Sequence, residues 1–398
     1  MKGGRLKKIS VFSLLFFASI AIVAAIGELY ARAIYKQSYL TGFMVSDRVF
    51  HHIPPPHYSG HMHSDGDFDV DFKTNNKGMR GPADYRYEKD PGTFRIAVMG
   101  DSFVFGVGVE SVETASYVLN GLLGASGSTK YDVMNFGVNS YSPLLEYIYL
   151  KQELIKYRPD MVILMLDTCD IQDDYLYEPH IIRNGQGDIT GCDPFRKYGR
   201  PDLQAFCMRW SRLFFILDQK LFQSFRKMKT IGIRNYLTNK ARGKRNKTDI
   251  LTNKEADNIY FDRFLMFRDG KDKKIVKKHW ERTAGYVSMI KKYLDEKGIK
   301  FVLVTYPYGH QVGPRQWSEG RRYWAFEDGV KYDPAEGFSM MSSFAKDNGI
   351  DFVNLYDAML KASDKQLYYN RDGHWTKYAQ ALAARAIFDS EVFQKDLK

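Results

Sequence analysis

The chain has 398 residues, of which 44% are hydrophobic, 15% aromatic and 26% charged. This balance excludes a wholly disordered chain, a collagen-like fibre and a polytopic membrane protein. Basic residues exceed acidic ones by 11, and the three cysteines, Cys169, Cys192 and Cys207, form no Cys-x-x-Cys pair, which excludes a disulfide scaffold and a zinc ribbon. At roughly 100–200 residues per domain, the length allows two or three domains.

Lys2, Arg5, Lys7 and Lys8 precede an uncharged run from Ile9 to Gly27, close to the roughly 20 residues that cross a bilayer as a helix. The basic flank stays in the cytoplasm and sends the rest of the chain outward. A cleaved signal peptide is the alternative. The run is longer than the usual apolar region of such a peptide, and Ala31-Arg32-Ala33 lies several residues beyond it, so the expectation is a retained single-pass anchor with a periplasmic or extracellular body. The lipid bilayer is then a partner through residues 9–27. The positive charge of an exported protein meets lipid headgroups or anionic polysaccharide rather than nucleic acid.

Tyr39 to Gly66 reads as a loop, with three consecutive prolines at 54–56 and the histidines His51, His52, His57, His61 and His63. Their spacing fits no standard metal site, so a solvated juxtamembrane loop is expected. Asp65, Asp67, Asp69 and Asp71 alternate with Phe68, Val70 and Phe72, the period of a strand with one wet face. Phe94–Met99 is a short apolar strand ending in Gly100-Asp101-Ser102. Val112–Leu123 has helical spacing, Tyr131–Val138 reads as a second buried strand, Ser142-Pro143 opens a helix to about Arg158, and Met161–Leu166 reads as a strand buried on both faces. From Lys220 to Lys278 there are 18 Lys/Arg against 6 Asp/Glu. Trp210–Lys229 mixes apolar and basic residues as an amphipathic helix would, either packed on the body with a solvated basic face or lying on a membrane or anionic polymer. Alternation then resumes: helix Trp280–Glu296, strand Phe301–Thr305, helix Phe338–Lys346, strand Phe352–Leu355 and a final helix Thr376–Phe393. Five strands alternating with helices predict a parallel sheet covered on both sides.

Ser102 follows a buried strand, where sites form in doubly wound sheets. Val104 replaces the second glycine of a G-x-S-x-G elbow. About 270 residues later, Asp372-Gly373-His374 supplies an imidazole beside a carboxylate, the base and orienting group that a serine nucleophile needs. Tyr306, Tyr308 and His310 follow the fourth strand and are candidates for stacking on a sugar ring, the alternative being loop packing.

Val98-Met99-Gly100-Asp101-Ser102-Phe103, the approach Asn75 to Gly81, and Asp372-Gly373-His374-Trp375-Thr376 together resemble the SGNH/GDSL hydrolase superfamily. The approach Asn75 to Gly81, followed by Phe94-Arg95-Ile96, is similar to that of membrane-anchored members associated with cell-surface polysaccharides, and the last block is similar to the Asp-x-His-Trp signature of alginate O-acetylation proteins. The resemblance implies a flavodoxin-like α/β/α sandwich with a parallel five-stranded sheet and a triad of Ser102, His374 and Asp372. It implies an oxyanion hole at Ser102, Ser140 and Cys169. The last two depart from the family's Gly and Asn, and a thiol is a weak donor. Asn139 is a substitute donor or substrate contact. The implied organisation is a cytoplasmic stub and anchor over 1–36, a juxtamembrane loop and lead-in strand over 37–93, the hydrolase domain in two parts at 94–177 and 280–398, and a basic, mostly helical insertion over 178–279. The implied activity is an extracytoplasmic serine esterase acting on O-acyl esters of a cell-surface glycan, with no metal or organic cofactor. The alternatives are a polysaccharide O-acetyltransferase served by a membrane acyl-donor protein, and a degenerate domain that binds glycan without catalysis. An oxidising compartment would permit a Cys192–Cys207 bridge.

Overall fold

The structure, a computed structural model, describes residues 2–34, 43–81, 83–127, 129–167, 170–197, 200–201, 207, 211–217, 273–323, 331 and 335–396. The basic segment 220–272, most of the Trp210–Lys229 helix and Cys169 lie outside them.

Helix α1 (Lys2–Ile34) contains one stretch, Leu14–Arg32, long and apolar enough to cross a membrane. Near its far end, the Glu28 carboxylate accepts from Ser211 Oγ (2.8 Å) and the Leu213 N–H (3.0 Å). This contact ties the short helix Arg212–Leu217 to α1.

The body is a five-stranded parallel sheet of β1 (Thr93–Gly100), β2 (Lys130–Gly137), β3 (Met161–Leu166), β4 (Lys300–Thr305) and β5 (Asp351–Asn354), in the order β2-β1-β3-β4-β5. The chain turns from one sheet edge to the other between β1 and β3, the switch point at which flavodoxin-like sheets place their sites. β3 is buried along its whole length, as its unbroken apolar run predicts. Alternate residues feed two cores. Val162, Leu164 and Leu166 pack with α4 (Pro143–Gln152), α6 (Lys273–Asp295) and α7 (Ala335–Asp347), while Met161, Ile163 and Met165 pack with α3 (Ala115–Gly124) and α8 (Lys377–Phe388). The result is the three-layer α/β/α sandwich expected from the alternation of elements.

Several expectations are corrected. The helix opened by Pro143 stops at Gln152, because Glu153 leaves the helical conformation and accepts from Tyr87 (2.7 Å) and Lys156 (2.8 Å). The final helix ends at Phe388, and Ser390 caps a separate helix, Glu391–Asp396. The segment read as a loop before Gly66 holds an antiparallel pair, Val45–Asp47 with His51–Ile53, and the first arm of a hairpin, Ser59–Ser64 with Phe68–Lys73. His51 and His52 are buried rather than solvated. Cys192 and Cys207 are free thiols.

One close approach sets the geometry beneath the site. A Cβ on Gly137, at the end of β2, would lie 2.2 Å from the Phe105 nitrogen and 2.6 Å from the Val104 carbonyl carbon of α2 (Ser102–Phe105). Gly137→Ala must therefore push the strand from the turn that carries Ser102, at a cost of about 1–3 kcal/mol. Gly121→Ala, on an open face of α3, should match or exceed wild-type stability by up to about 1 kcal/mol. Urea unfolding of the two variants checks the contrast.

Candidate active site

Asp101 ends the turn after β1, and its Oδ1 accepts the Phe103 N–H at 2.9 Å, capping α2. The cap fixes Ser102 at the first helical position. Ser102 Oγ lies 2.7 Å from His374 Nε2, and His374 Nδ1 is hydrogen-bonded to Asp372 Oδ1. Gly373 makes this possible. With φ at +90°, it turns the backbone so that residues two apart face one another, a conformation glycine adopts without penalty. Because the carboxylate only accepts, Nδ1 donates to it and Nε2 is left to accept the serine proton. The histidine and aspartate side chains are 22% and 26% exposed, so a ligand can reach the relay.

Burial lowers the His374 pKa, but the Asp372 charge and hydrogen bond, with Asp101 and Asp167 adding to them, raise it above 6.5 overall. Burial alone would raise Asp372; the His374 charge and hydrogen bonds outweigh it and hold the carboxyl below its ordinary value. Beneath the pair, Asp101, Asp167 and Asp170 each bring an oxygen within 4.8 Å of the others. Burial, then repulsion from Asp167, raises both Asp101 and Asp170 above the ordinary carboxyl range.

The candidate oxyanion segment follows β2. Val138 donates to the Gly100 carbonyl (3.0 Å), tying the segment to the Ser102 turn. Ser140 stands in the left-handed region with φ at +61°, where the family's glycine would sit without strain. Its carbonyl accepts from Tyr177 Oη (2.8 Å), and its N–H has no acceptor among the described residues. Cys169 lies outside those residues. Asn139 is half-buried, and its carbonyl accepts from His52 Nε2 at 2.7 Å. Burial lowers His52 to about 4, so the ring is neutral and acts as a fixed brace.

The aromatic candidates behave differently from the stacking expectation. Tyr306 is fully buried. Its hydroxyl donates to Asp101 Oδ1 (3.2 Å) and its ring packs on Phe103 and Trp375. Tyr308 is buried and donates to Asp167 (2.5 Å), and His310 is buried against Tyr308 and Trp317. The loop-packing alternative is the arrangement adopted: the three support the site from beneath and offer no free ring face to a sugar.

The residue that motif reading missed is Asp67, at the tip of the lead-in hairpin. Its carboxylate accepts the backbone N–H groups of Asn370 (2.9 Å), Arg371 (2.9 Å) and Asp372 (2.8 Å). One side chain, more than 300 positions away in the chain, holds the loop that delivers Asp372 and His374. In the sequence it is one member of an alternating acidic run, and nothing marks its tip position.

Residues 265–392 match the family model of the SGNH hydrolase-like domain of acetyltransferase AlgX. Over this third of the chain the match is to an SGNH hydrolase-like domain of the AlgX type. Such a domain is ester-acting, as hydrolase or acyltransferase. The matched third of the chain includes Asp372 and His374, and the fold brings Ser102 to them from outside it. Similar solved structures include the acetyl xylan esterase AlAXEase (11% identity, 74% of this chain and 98% of that one, TM-score 0.37), a two-domain esterase active on acetylated mannans (10%, 77% and 50%, 0.37) and a catalytic mutant of the acetylxylan esterase Axe2 from Geobacillus stearothermophilus (12%, 74% and 92%, 0.36). At these identities and TM-scores the likeness carries no functional argument. No curated protein matches the chain.

Two predictions follow from the geometry. Reaction of Ser102 with a fluorophosphonate should rise with pH through an inflection above 6.5, since only neutral His374 accepts the proton and its raised pKa extends the protonated form upward. Asp372→Asn removes the group that raises it. The inflection should move down while the plateau rate falls by on the order of 10³–10⁴. Asp67→Ala frees the loop but leaves the His374–Asp372 pair chemically intact, so the plateau should fall by about 10–100-fold with the inflection unmoved.

Proposed function

We propose that this protein is a membrane-anchored, extracytoplasmic serine enzyme that acts on O-acetyl esters of a cell-surface polysaccharide. The observation that carries the reading is the Ser102–His374–Asp372 relay, assembled from segments 272 positions apart with its terminal nitrogen 2.7 Å from the serine oxygen. His374 Nε2 takes the Ser102 proton as Oγ bonds to the ester carbonyl carbon. The oxyanion that forms is met by the N–H groups of Ser102 and Ser140. The carbon–oxygen bond to the sugar then breaks, the protonated imidazole gives its proton to the departing sugar oxygen, which leaves as a hydroxyl, and the acetyl group stays on Ser102. A second oxygen nucleophile, deprotonated by His374, takes the acetyl group and restores the serine.

Whether that nucleophile is water or another sugar hydroxyl distinguishes hydrolysis from transfer. The family match favours transfer, because its model is that of an acetyltransferase. In that reading a membrane partner supplies the acetyl group. The apolar stretch Leu14–Arg32 supports the anchor, with 1–36 as stub and span, 37–93 as lead-in, 94–177 and 280–398 as the two parts of the ester-acting domain, and 178–279 inserted between them.

The test is fluorophosphonate labelling of the full chain in detergent, with the adduct located by mass spectrometry. Labelling at Ser102, lost in Ser102→Ala and reduced at least about 10³-fold in His374→Ala, is the expected result. Incubation with acetylated xylan and an unacetylated oligosaccharide then compares acetate released with acetyl transferred. A folded protein that never labels would leave a glycan-binding module as the better reading.

A further inference from the structure

The lead-in hairpin has two unlike faces. Its register pairs His61 with Asp71 and His63 with Asp69, and the strand period puts these four side chains on one face. Phe72 and Phe68 lie on the other, Phe72 buried and Phe68 packed against Tyr369. The outer face is thus a His-x-His strand directly opposite an Asp-x-Asp strand, the rings about half exposed and the Asp71 carboxylate almost fully so.

The contacts are ordered in a particular way. Asp69 sits between the two rings, with Oδ1 2.6 Å from His61 Nε2 and Oδ2 3.7 Å from His63 Nδ1. The other nitrogen of each ring is held by a different carboxylate, His61 Nδ1 by Asp71 (2.8 Å) and His63 Nε2 by Asp65 (2.9 Å). The rings are stacked 14° from parallel, and one ligand atom from each of His61, His63 and Asp69 lies within 4.8 Å of the others. A plain surface ion pair needs one carboxylate per histidine and contributes about 0–1 kcal/mol. Here each ring is gripped at one nitrogen while the other points at a shared carboxylate. That is the arrangement of metal-binding histidines, whose far nitrogen is hydrogen-bonded to a carboxylate that sets tautomer and orientation.

We infer that His61, His63 and Asp69 form a binding site for a divalent transition metal of the zinc class, with Asp71 and Asp65 orienting the two imidazoles. Two imidazole nitrogens and one carboxylate oxygen suit zinc, whereas calcium and magnesium favour all-oxygen sets. Ligands about 2.0–2.1 Å from a tetrahedral ion stand about 3.3 Å apart, a small rotamer adjustment from the present separations for half-exposed side chains. Three protein ligands leave a coordination position for water or substrate oxygen. His61 and Asp71 also line a cleft of about 770 Å³ with Tyr58, Lys73 and Glu110. The same hairpin carries Asp67 to the Asp372 loop, so the metal would sit on the element that positions the relay.

The experiment is titration of the metal-stripped full chain with zinc chloride against a chromophoric chelator. One equivalent should bind with a dissociation constant of micromolar or below. His61→Ala and His63→Ala should weaken it at least 100-fold, and Asp71→Asn by about 10–100-fold. His374→Ala should leave it unchanged, which separates this site from the Ser102 relay. Circular dichroism confirms that each variant folds. Absence of stoichiometric binding, binding that survives His61→Ala/His63→Ala, or binding lost in His374→Ala alone would each overturn the inference.

Discussion

The hydrogen bond from Ser102 to His374 joins two segments 272 positions apart, and the sheet has to be built before it can form. β1 delivers Ser102 at its carboxyl end, and the loop before α8 delivers His374. α3 and α8 pack together on one face of the sheet, which brings those ends into register. Gln380 of α8 links them directly: its side chain accepts from the Ala115 N–H (2.8 Å) and donates to the Phe103 carbonyl (2.9 Å). The relay is local in space but depends on contacts of long range in the chain, each of which must offset the entropy of closing a long loop.

The segment between the apolar helix and β1 acts as more than a spacer. It braces the site at two points. His52 holds the Asn139 carbonyl beside the candidate oxyanion segment, and Asp67 holds three N–H groups of the Asp372 loop. Tyr141 returns the first contact by donating to the His52 carbonyl (2.8 Å). A buried imidazole and a shared carboxylate are costly to order unless fully bonded, and both are. Site geometry is therefore set from outside the sheet as well as by strand ends.

The sequence reading recovered the sheet because its strands are unbroken apolar runs bounded by turn residues, as in Met161–Leu166, and because Asp101-Ser102 and Asp372-Gly373-His374 are short blocks with recognisable chemistry. The ends of α4 and of the final helix were not legible: Glu153 and Ser390 stop them through side-chain contacts that compete with good local propensity. The roles of His51, His52 and Asp67 were hidden for another reason. Each depends on a partner far along the chain, and a histidine-rich, acidic stretch reads locally as a solvated loop. Tyr306 and Tyr308 are legible as residues of the strand end, but the choice between stacking on a sugar and packing in the loop is not, since the pattern does not say whether a loop ring turns toward the cleft or under it.

Ser140 shows how these braces bear on the chemistry. A non-glycine residue at φ +61° costs on the order of 1 kcal/mol or more relative to glycine. Left to itself the segment would relax and swing its N–H away. It is held instead on both sides: the Tyr177 hydroxyl takes the Ser140 carbonyl, His52 takes the preceding carbonyl, and Tyr177 in turn packs against the His51 ring. With successive carbonyls fixed, the peptide planes are fixed, and the Ser140 N–H points where the backbone dictates. A glycine in the same place would adopt the conformation more cheaply but would also have more alternatives to lose. The strain is thus carried by three aromatic and imidazole side chains drawn from the lead-in segment and α5 (Asp170–Tyr177), and the Ser140 N–H, the donor proposed for the oxyanion, is preorganised by packing rather than by the intrinsic freedom of the residue that supplies it.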